Sequence, residues 1–372
     1  MFTDIHEKIS FSDAINKAQS KTKSDTIDSL EKVSRKMKLN FEDYLSLVSP
    51  SADDFLEDMA YYSKKITEDR FGKTIQFFMP LYLSNECRSS CMYCGFSYEN
   101  KIPRVTLSLE EIEREAKLIY NKGIRHVLIL TGEDYSKTPV SFLFESILIL
   151  KKYFSSISLE VYPLKIEEYS KLISVGADGL TLYQETYDKE VYAKVHKRGV
   201  KKDMGYRLSG PDRGGIAGFR RIGIGALLGL SDPLGEMFFL GLHAEYLIKT
   251  YWRSLVQVSF PRMRPTKSEF QINRIVSDRE FLRFIFAIRL FQNDSPIALS
   301  TRERAELRDK LFGLGITTIS AGSKTEPGGY SGSDALEQFS IEDKREMEEV
   351  VEKIRLLGID PVLKDFDRAI LG

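Results

Sequence analysis

IQFFMPLYLSNECRSSCMYCGF, residues 75–96, joins an apolar run to a loop that carries every cysteine of the chain. The run IQFFMPLYL (75–83) is short and rich in large apolar residues, the pattern of a strand buried on both faces. Seven more runs follow: HVLILTG (126–132), ISLEVYP (157–163), GLTLYQ (179–184), RIGIGALL (221–228), LVQVSF (255–260), PIALST (296–301) and GITTIS (315–320). Helical stripes lie between them. Ser108 and Glu111 form a capping box, Ile112, Ala116 and Ile119 share a face, and Gly123 is placed to end that helix. Ile166, Tyr169, Leu172 and Ile173 form a second stripe that ends at Gly176. Eight strand–helix alternations predict an α/β fold, a (β/α)8 TIM-type barrel. The short last strands leave an incomplete barrel as the alternative.

Working outward, residues 1–70 read as an N-terminal helical extension. Phe41, Tyr44, Leu45 and Val48 recur at helical spacing, and Phe55, Met59 and Tyr62 continue the stripe. Residues 71–320 form the barrel and 321–372 a C-terminal helical cap. In that cap Met347, Val350, Val351, Ile354 and Leu357 share one face behind a Ser340–Asp343 cap. The 372 residues are 42% hydrophobic and 29% charged, the balance of a globular chain with a substantial core. Fifty-four Lys and Arg cancel fifty-four Asp and Glu, so net charge makes no case for nucleic acid or an anionic membrane as partner. No apolar run reaches the roughly 18 residues of a membrane span. MFTDIHEKIS has neither the basic start nor the apolar centre of a secretory signal, so a cytoplasmic location is expected.

Barrel enzymes place their chemistry at the C-terminal ends of the strands. The Cys loop, Gly132-Glu133-Asp134, Gln184-Glu185-Thr186, Pro261-Arg262-Met263-Arg264-Pro265 and Ser320-Ala321-Gly322-Ser323 all follow strands and converge on that rim. Cys87, Cys91 and Cys94 are the only cysteines, an odd cluster unsuited to a disulfide framework. Thiolates this close can fill three corners of a cubane iron–sulfur cluster and leave one iron open, the mark of a reactive centre. A zinc site would want a fourth ligand, and His126, the nearest histidine in sequence, lies within a strand run.

C-x3-C-x-Y-C followed by Gly-Phe resembles the signature of the radical S-adenosylmethionine (SAM) superfamily, with Tyr93 as the aromatic before the last cysteine. The resemblance implies a 4Fe–4S cluster held by Cys87, Cys91 and Cys94, with SAM on the open iron. It also implies Gly132-Glu133 as the segment receiving the SAM amino group, and Glu185 and Arg207 as the grip on its polar end. Gly223 and Gly225 miss the spacing of a dinucleotide loop and are expected to let backbone approach the adenosyl group.

SFPRMRP (259–265), SDREFLRFIFAIRLF (277–291), ALSTRE (298–303) and SAGSKTEPGGY (320–330) resemble the aromatic amino acid lyases of that superfamily, nearest its tyrosine lyases of thiamine biosynthesis. YQETYDKEVYAKVHKRG (183–199), YRLSGPDR (206–213), LEQFSIEDKR and DPVLKDFD fit as well. The resemblance runs from about residue 70 onward. It implies Cα–Cβ cleavage of L-tyrosine to dehydroglycine and p-cresol, thiazole synthase as recipient, and a flavodoxin or ferredoxin as electron donor. An amino acid substrate needs a carboxylate clamp, expected from Arg262 with Ser320; the alternative is that Arg262 and Arg264 brace the rim. Pro261 and Pro265 rigidify the segment either way. His243 and His196 are the histidines available for proton transfer. Ser231-Asp232-Pro233 stands where an aromatic-rich turn is expected, a changed pocket wall.

Other readings stay open. A tryptophan lyase would share the clamp. The related hydrogenase-cluster maturases carry a second cluster on later cysteines, and none follows Cys94 here. An electron-transfer or assembly protein would favour four cysteine ligands.

Overall fold

The computed structural model describes residues 1–264 and 270–365. Eight strands stand where the apolar runs place them. Strand β1 comprises Thr74–Phe77 and Met79–Ser84; β2 is His126–Thr131, β3 Ser156–Glu160, β4 Gly179–Thr181, β5 Arg221–Gly225, β6 Leu255–Ser259, β7 Ala298–Leu299 and β8 Thr318–Ile319. Neighbours from β1 to β6 pair in parallel. β6 meets β7 through a bridge between Val258 and Ile297. β7 pairs with β8, and β8 returns to β1 with Gln76 opposite Thr318. The barrel is therefore closed, and the incomplete alternative falls.

Closure depends on the break in β1 at Phe78. Its first half pairs with β8 and its second half with β2, so one strand serves both edges at different heights. A short strand, Asp360–Val362, lies parallel to Thr74–Gln76 on the other side. Along β1 and β2 the side chains alternate between two apolar layers. Leu81, Leu83, Val127 and Ile129 join the large core under the helices, while Tyr82, Leu128 and Leu130 cluster with Phe96 on the other face. Burial on both faces is why these strands read as continuous apolar runs.

The connecting helices follow their local signals. Ser108 accepts from the Glu111 amide at 3.3 Å, and the Glu111 carboxylate accepts from the Ser108 amide at 2.8 Å. Gly176 ends the helix Ile166–Val175 at φ 126°, a conformation that favours glycine. The closing helix departs from expectation: it spans Met347–Leu356 with Glu346 at its cap. Ser340–Asp343 does not cap it, because the Asp343 carboxylate is taken by buried Arg308 and by Arg345. The expected cap runs past Asp365; its last residues, like Pro265, lie outside the described residues.

Helices Pro233–Thr250 and Asp278–Phe291 are buried around most of their circumference because they are packed on two sides. Phe11–Gln19 packs on the first, Leu56–Phe71 on the second, and Phe41–Val48 on both. Tyr44 seats this outer layer: fully buried, it donates to the Met237 carbonyl oxygen at 2.7 Å. Gly241 makes room for its ring, since a Cβ there would lie 2.2 Å from Tyr44 Cε1. On an exposed helix Gly→Ala gains about 1 kcal/mol. Here overpacking reverses the sign, and Gly241→Ala is expected to destabilise by about 1–3 kcal/mol. A lowered urea midpoint at unchanged slope would show it; a raised midpoint would mean that Tyr44 does not sit there.

Candidate active site

The cysteine loop leaves the end of β1 and is tied down by polar contacts. Asn85, fully buried, donates to the Pro103 carbonyl oxygen at 3.0 Å and accepts from the Val105 amide at 2.7 Å. Arg104 donates to the carbonyl oxygens of Asn85, Phe96, Ser97 and Asn100 at 2.7–3.1 Å. Ser90–Cys91 pairs antiparallel with His196–Arg198, and the Met92 amide donates to the Val195 carbonyl oxygen at 3.1 Å. Gly132 lets the loop approach the end of β2, since a Cβ there would sit 2.1 Å from the Glu86 carbonyl oxygen.

The three thiols are largely withdrawn from water. Burial pushes the Cys87 thiol up to about 12 and raises those of Cys91 and Cys94, while Lys201 pulls the latter two down. The Glu133 amide approaches Cys87 Sγ at 3.4 Å, and Gln338 Nε2 approaches Cys94 Sγ at 3.7 Å. Three largely buried sulfurs, two of them with N–H donors, suit a polycationic iron centre, whose charge would deprotonate them where burial alone opposes it. The residues present fit the cluster.

Beside the loop lies a neutral ring of four charges. Arg207 Nη1 meets Glu133 Oε1 at 3.0 Å, its Nη2 lies 3.5 Å from Glu185 Oε1, and its Nε donates to the Tyr183 carbonyl oxygen at 2.7 Å. Lys201 Nζ reaches Glu185 at 2.6 Å. Ser89 donates to the other Glu133 oxygen at 2.9 Å, joining the ring to the cysteine loop. Burial pushes the Glu185 carboxyl up, but Lys201 and Arg207 outweigh it and hold it below the usual range. Glu185 holds φ 73°, a left-handed conformation rare for a residue with a Cβ, as side chains at functional sites often do. Gly132, Glu133, Glu185 and Arg207 thus come together, and Lys201, missed in a charged run that reads as solvated, joins them.

Tyr93 and Cys94 border a cavity of about 130 Å³ inside the rim. Phe78, Tyr82, Leu128 and Leu130 give it an apolar wall; Ser320, Ser323, Arg302 and Glu160 give it polar groups. Arg262 is absent from it. Its guanidinium is bound to both oxygens of buried Glu303, to Asp278 at 2.9 Å and to the Val276 carbonyl oxygen at 3.0 Å. Arg264 adds a contact to Glu303 at 2.9 Å. The expected clamp at Arg262 is therefore corrected: with four of its five N–H donors occupied and its side chain outside the cavity, it braces the rim. Arg302, in the turn that follows β7, lines the cavity instead. Its guanidinium carbon lies 3.5 Å from the centroid of the Phe339 ring and meets no carboxylate within ion-pair distance among the described residues. Ser320 lines the same space, and the Ser323 hydroxyl is buried without a partner. ALSTRE held the signal for Arg302, a strand run with a cation just beyond it.

Neither histidine reaches the cavity. His243 lies on Pro233–Thr250, stacked on Phe2 at 4.0 Å and 2.9 Å from the Tyr187 hydroxyl; burial takes it down to about 3, so it is a neutral packing group. His196 stands behind Tyr93. Its Nδ1 faces the Tyr192 carbonyl oxygen at 3.1 Å, so its Nε2 accepts from the Tyr93 hydroxyl at 2.7 Å. It positions Tyr93 and remains neutral, because burial beside Lys201 and Arg207 opposes its charging. The expected approach at Gly225 is also filled, since a Cβ there would meet the Ser259 carbonyl oxygen at 2.3 Å and the Tyr183 ring at 2.7 Å. Ser231-Asp232-Pro233 is a helix start, with Asp232 accepting from the Leu234 amide at 2.9 Å, and is no part of the cavity wall.

The Radical SAM superfamily pattern matches residues 81–210, and that of the Biotin and Thiamin Synthesis associated domain matches residues 259–360. The curated 2-iminoacetate synthase of Salmonella typhimurium is 39% identical over 368 residues, 98% of this chain and 97% of that protein. The 2-iminoacetate synthase of Escherichia coli matches at the same identity and coverage. The FeFe-hydrogenase maturase HydG from Carboxydothermus hydrogenoformans superposes with a TM-score of 0.87 at 33% identity, over 96% of this chain and 83% of that one. Methylornithine synthase (PylB), at 22% identity and a TM-score of 0.73, shares the fold over 90% of this chain and 97% of that one.

The two arginines should separate in stability. Arg262→Met leaves Glu303 buried without its main partner and is expected to cost about 3–5 kcal/mol. Arg302→Met removes no ion pair and should stay within about 0.5 kcal/mol of the unmodified chain. Chemical denaturation of both variants checks this, and equal losses would contradict the assignment.

Proposed function

The chain belongs to the 2-iminoacetate synthase family of the radical SAM superfamily, and from that membership we propose that it cleaves the Cα–Cβ bond of L-tyrosine to 2-iminoacetate (dehydroglycine) and p-cresol. Members of this superfamily use a 4Fe–4S cluster and SAM. When bound, these supply a one-electron reduction of SAM that yields a carbon radical able to abstract hydrogen. Cys87, Cys91 and Cys94 would hold the cluster. Glu133, Glu185, Arg207 and Lys201 would receive the charged methionyl end of SAM, where paired carboxylates and cations already face each other.

The observation that carries the substrate reading is Arg302. A cation stacked on Phe339 with no carboxylate of the protein on it is a ready partner for a substrate carboxylate, and Ser320 beside it offers a hydroxyl. The apolar wall of Phe78, Leu128 and Leu130 suits an aromatic side chain, and the dehydroglycine product hydrolyses readily. That lability favours direct transfer of dehydroglycine to a thiazole synthase. The one-electron input favours a flavodoxin or ferredoxin as donor.

The test is an anaerobic assay of the cluster-reconstituted enzyme with SAM, a reductant and either L-tyrosine or L-tryptophan, read by mass spectrometry. Deoxyadenosine, p-cresol and glyoxylate (from hydrolysed dehydroglycine) are expected with tyrosine; deoxyadenosine without p-cresol would discard the substrate. Cys91→Ala should abolish deoxyadenosine formation while keeping the fold, and retained deoxyadenosine would discard the three-cysteine cluster. Arg302→Met should weaken tyrosine binding by about tenfold or more, the loss of a charge-assisted contact. Unchanged binding would remove Arg302 from the clamp.

A further inference from the structure

Two unpaired charges of opposite sign face one cavity. Arg302 is the cation. Glu160, the last residue of β3, is the anion, and its carboxylate accepts no hydrogen bond and makes no ion pair among the described residues. Other carboxylates at this rim are spoken for: Glu133 and Glu185 by Arg207 and Lys201, Glu303 by Arg262 and Arg264. Withdrawing a carboxylate from water without a partner costs several kcal/mol. Yet Glu160 and Arg302 do not meet each other within ion-pair distance. A cavity that holds one free cation and one free anion apart is the complement of a zwitterion, and an α-amino acid is one.

We propose that Glu160 is the partner of the substrate's α-ammonium group and accepts its proton, so that the amino acid sits between Arg302 and Glu160 with a neutral nitrogen. This rests on the tyrosine-lyase reading and deepens it. In the step one N–H bond breaks and one Glu160 Oε–H bond forms; no electrons change hands. The nitrogen regains its lone pair, and hydrogen abstraction then starts from an amine rather than from a cation.

The surroundings favour that direction. Burial first, then the negative charge of Glu185, holds the Glu160 carboxyl up at about 7, with Arg302, Lys201 and Arg207 opposing. The phenols of Tyr82 and Tyr183 are the other titratable groups that sense it. A chain-terminal α-amino group titrates at about 7.7–8.0; the ammonium of a free amino acid, held by its own carboxylate, titrates higher, and pairing that carboxylate with Arg302 brings it down toward the range of Glu160. Protonation of Glu160 also relieves its repulsion with Glu185.

The test is binding by the cluster-reconstituted, SAM-loaded and unreduced enzyme, which cannot turn over. Affinities are measured for L-tyrosine, for 3-(4-hydroxyphenyl)propanoate, which lacks the amine, and for L-phenylalanine, which lacks the phenol. The unmodified enzyme should prefer tyrosine over the desamino acid by about tenfold or more, as expected for a charged hydrogen-bonded pair. Glu160→Gln should shrink that preference to about twofold while leaving the tyrosine-to-phenylalanine ratio unchanged. Absence of the preference in the unmodified enzyme overturns the proposal, and that measurement needs no variant to fold. Collapse of the tyrosine-to-phenylalanine ratio in Glu160→Gln would make Glu160 the phenol's partner. Weakened SAM binding with both ratios intact would make it a SAM contact. Either result overturns the proposal. The lyase reading is judged separately, by p-cresol from the reduced, unmodified enzyme. If none forms, that reading fails, while the desamino ratio still decides whether Glu160 recognises an ammonium group.

Discussion

Charges can be buried at the end of a barrel only where they neutralise one another, and Arg207 does this for two strand ends at once. Its two terminal nitrogens reach Glu133 beyond β2 and Glu185 beyond β4, and its Nε holds the Tyr183 carbonyl oxygen. Lys201 completes the neutral ring. Because Ser89 donates to Glu133, the cysteine loop is positioned by the same network. Removing one member would leave a buried charge uncompensated, at a cost of about 3–5 kcal/mol. Such a ring can also hold Glu185 at a positive φ that would otherwise relax.

The same balance separates structure from recognition elsewhere on the rim. Arg262 and Arg302 are both partly or wholly buried arginines after strands, and residue type does not distinguish them. Their partners do. Arg262 has four of its five N–H donors committed to Glu303, Asp278 and the Val276 carbonyl oxygen, so it fixes the turn after β6. Arg302 spends its face on the Phe339 ring, a contact that leaves its edge N–H groups available. Glu160 is its anionic counterpart. Where a folded chain leaves charges of both signs unsatisfied in one cavity, a ligand that carries both is the economical resolution.

The barrel was legible because parallel strands buried on both faces must be written as apolar runs, and each of the eight runs became a strand. The capping box at Ser108 and the stop at Gly176 were legible because they are settled within a few residues. The cysteine loop was legible because its ligands lie within eight residues. What failed was what depends on distant partners. Arg262 is claimed by Glu303, 41 positions away, and Asp343 by Arg308, 35 positions away; spacing alone reveals neither. Lys201 reads as a solvated charge, and only the fold brings it against Glu185 and the Tyr93 ring. Glu160 did leave a trace, a carboxylate inside the apolar run ISLEVYP. A charge at the end of a buried strand had to face either a partner or a cavity.

The C-terminal segment ties the cysteine loop and Arg302 into one assembly. Gln338 receives the Tyr82 hydroxyl at 2.8 Å, points its amide at Cys94 Sγ, and binds the Gly95 amide through its carbonyl oxygen at 3.0 Å. The next residue, Phe339, carries Arg302 on its ring. This segment is fixed in turn, with Glu115 accepting from the amides of Tyr330 and Ser331 at 3.0 and 2.8 Å, and the Tyr330 hydroxyl donating to the Pro80 carbonyl oxygen at 2.8 Å. One dipeptide therefore positions both the Cys94 thiol and the Arg302 guanidinium, the proposed partners of cluster and substrate carboxylate. A hydrogen-abstracting radical must form within van der Waals reach of its target. That requires the distance between the two sites to be set by few, stiff links, and Gln338-Phe339 is such a link.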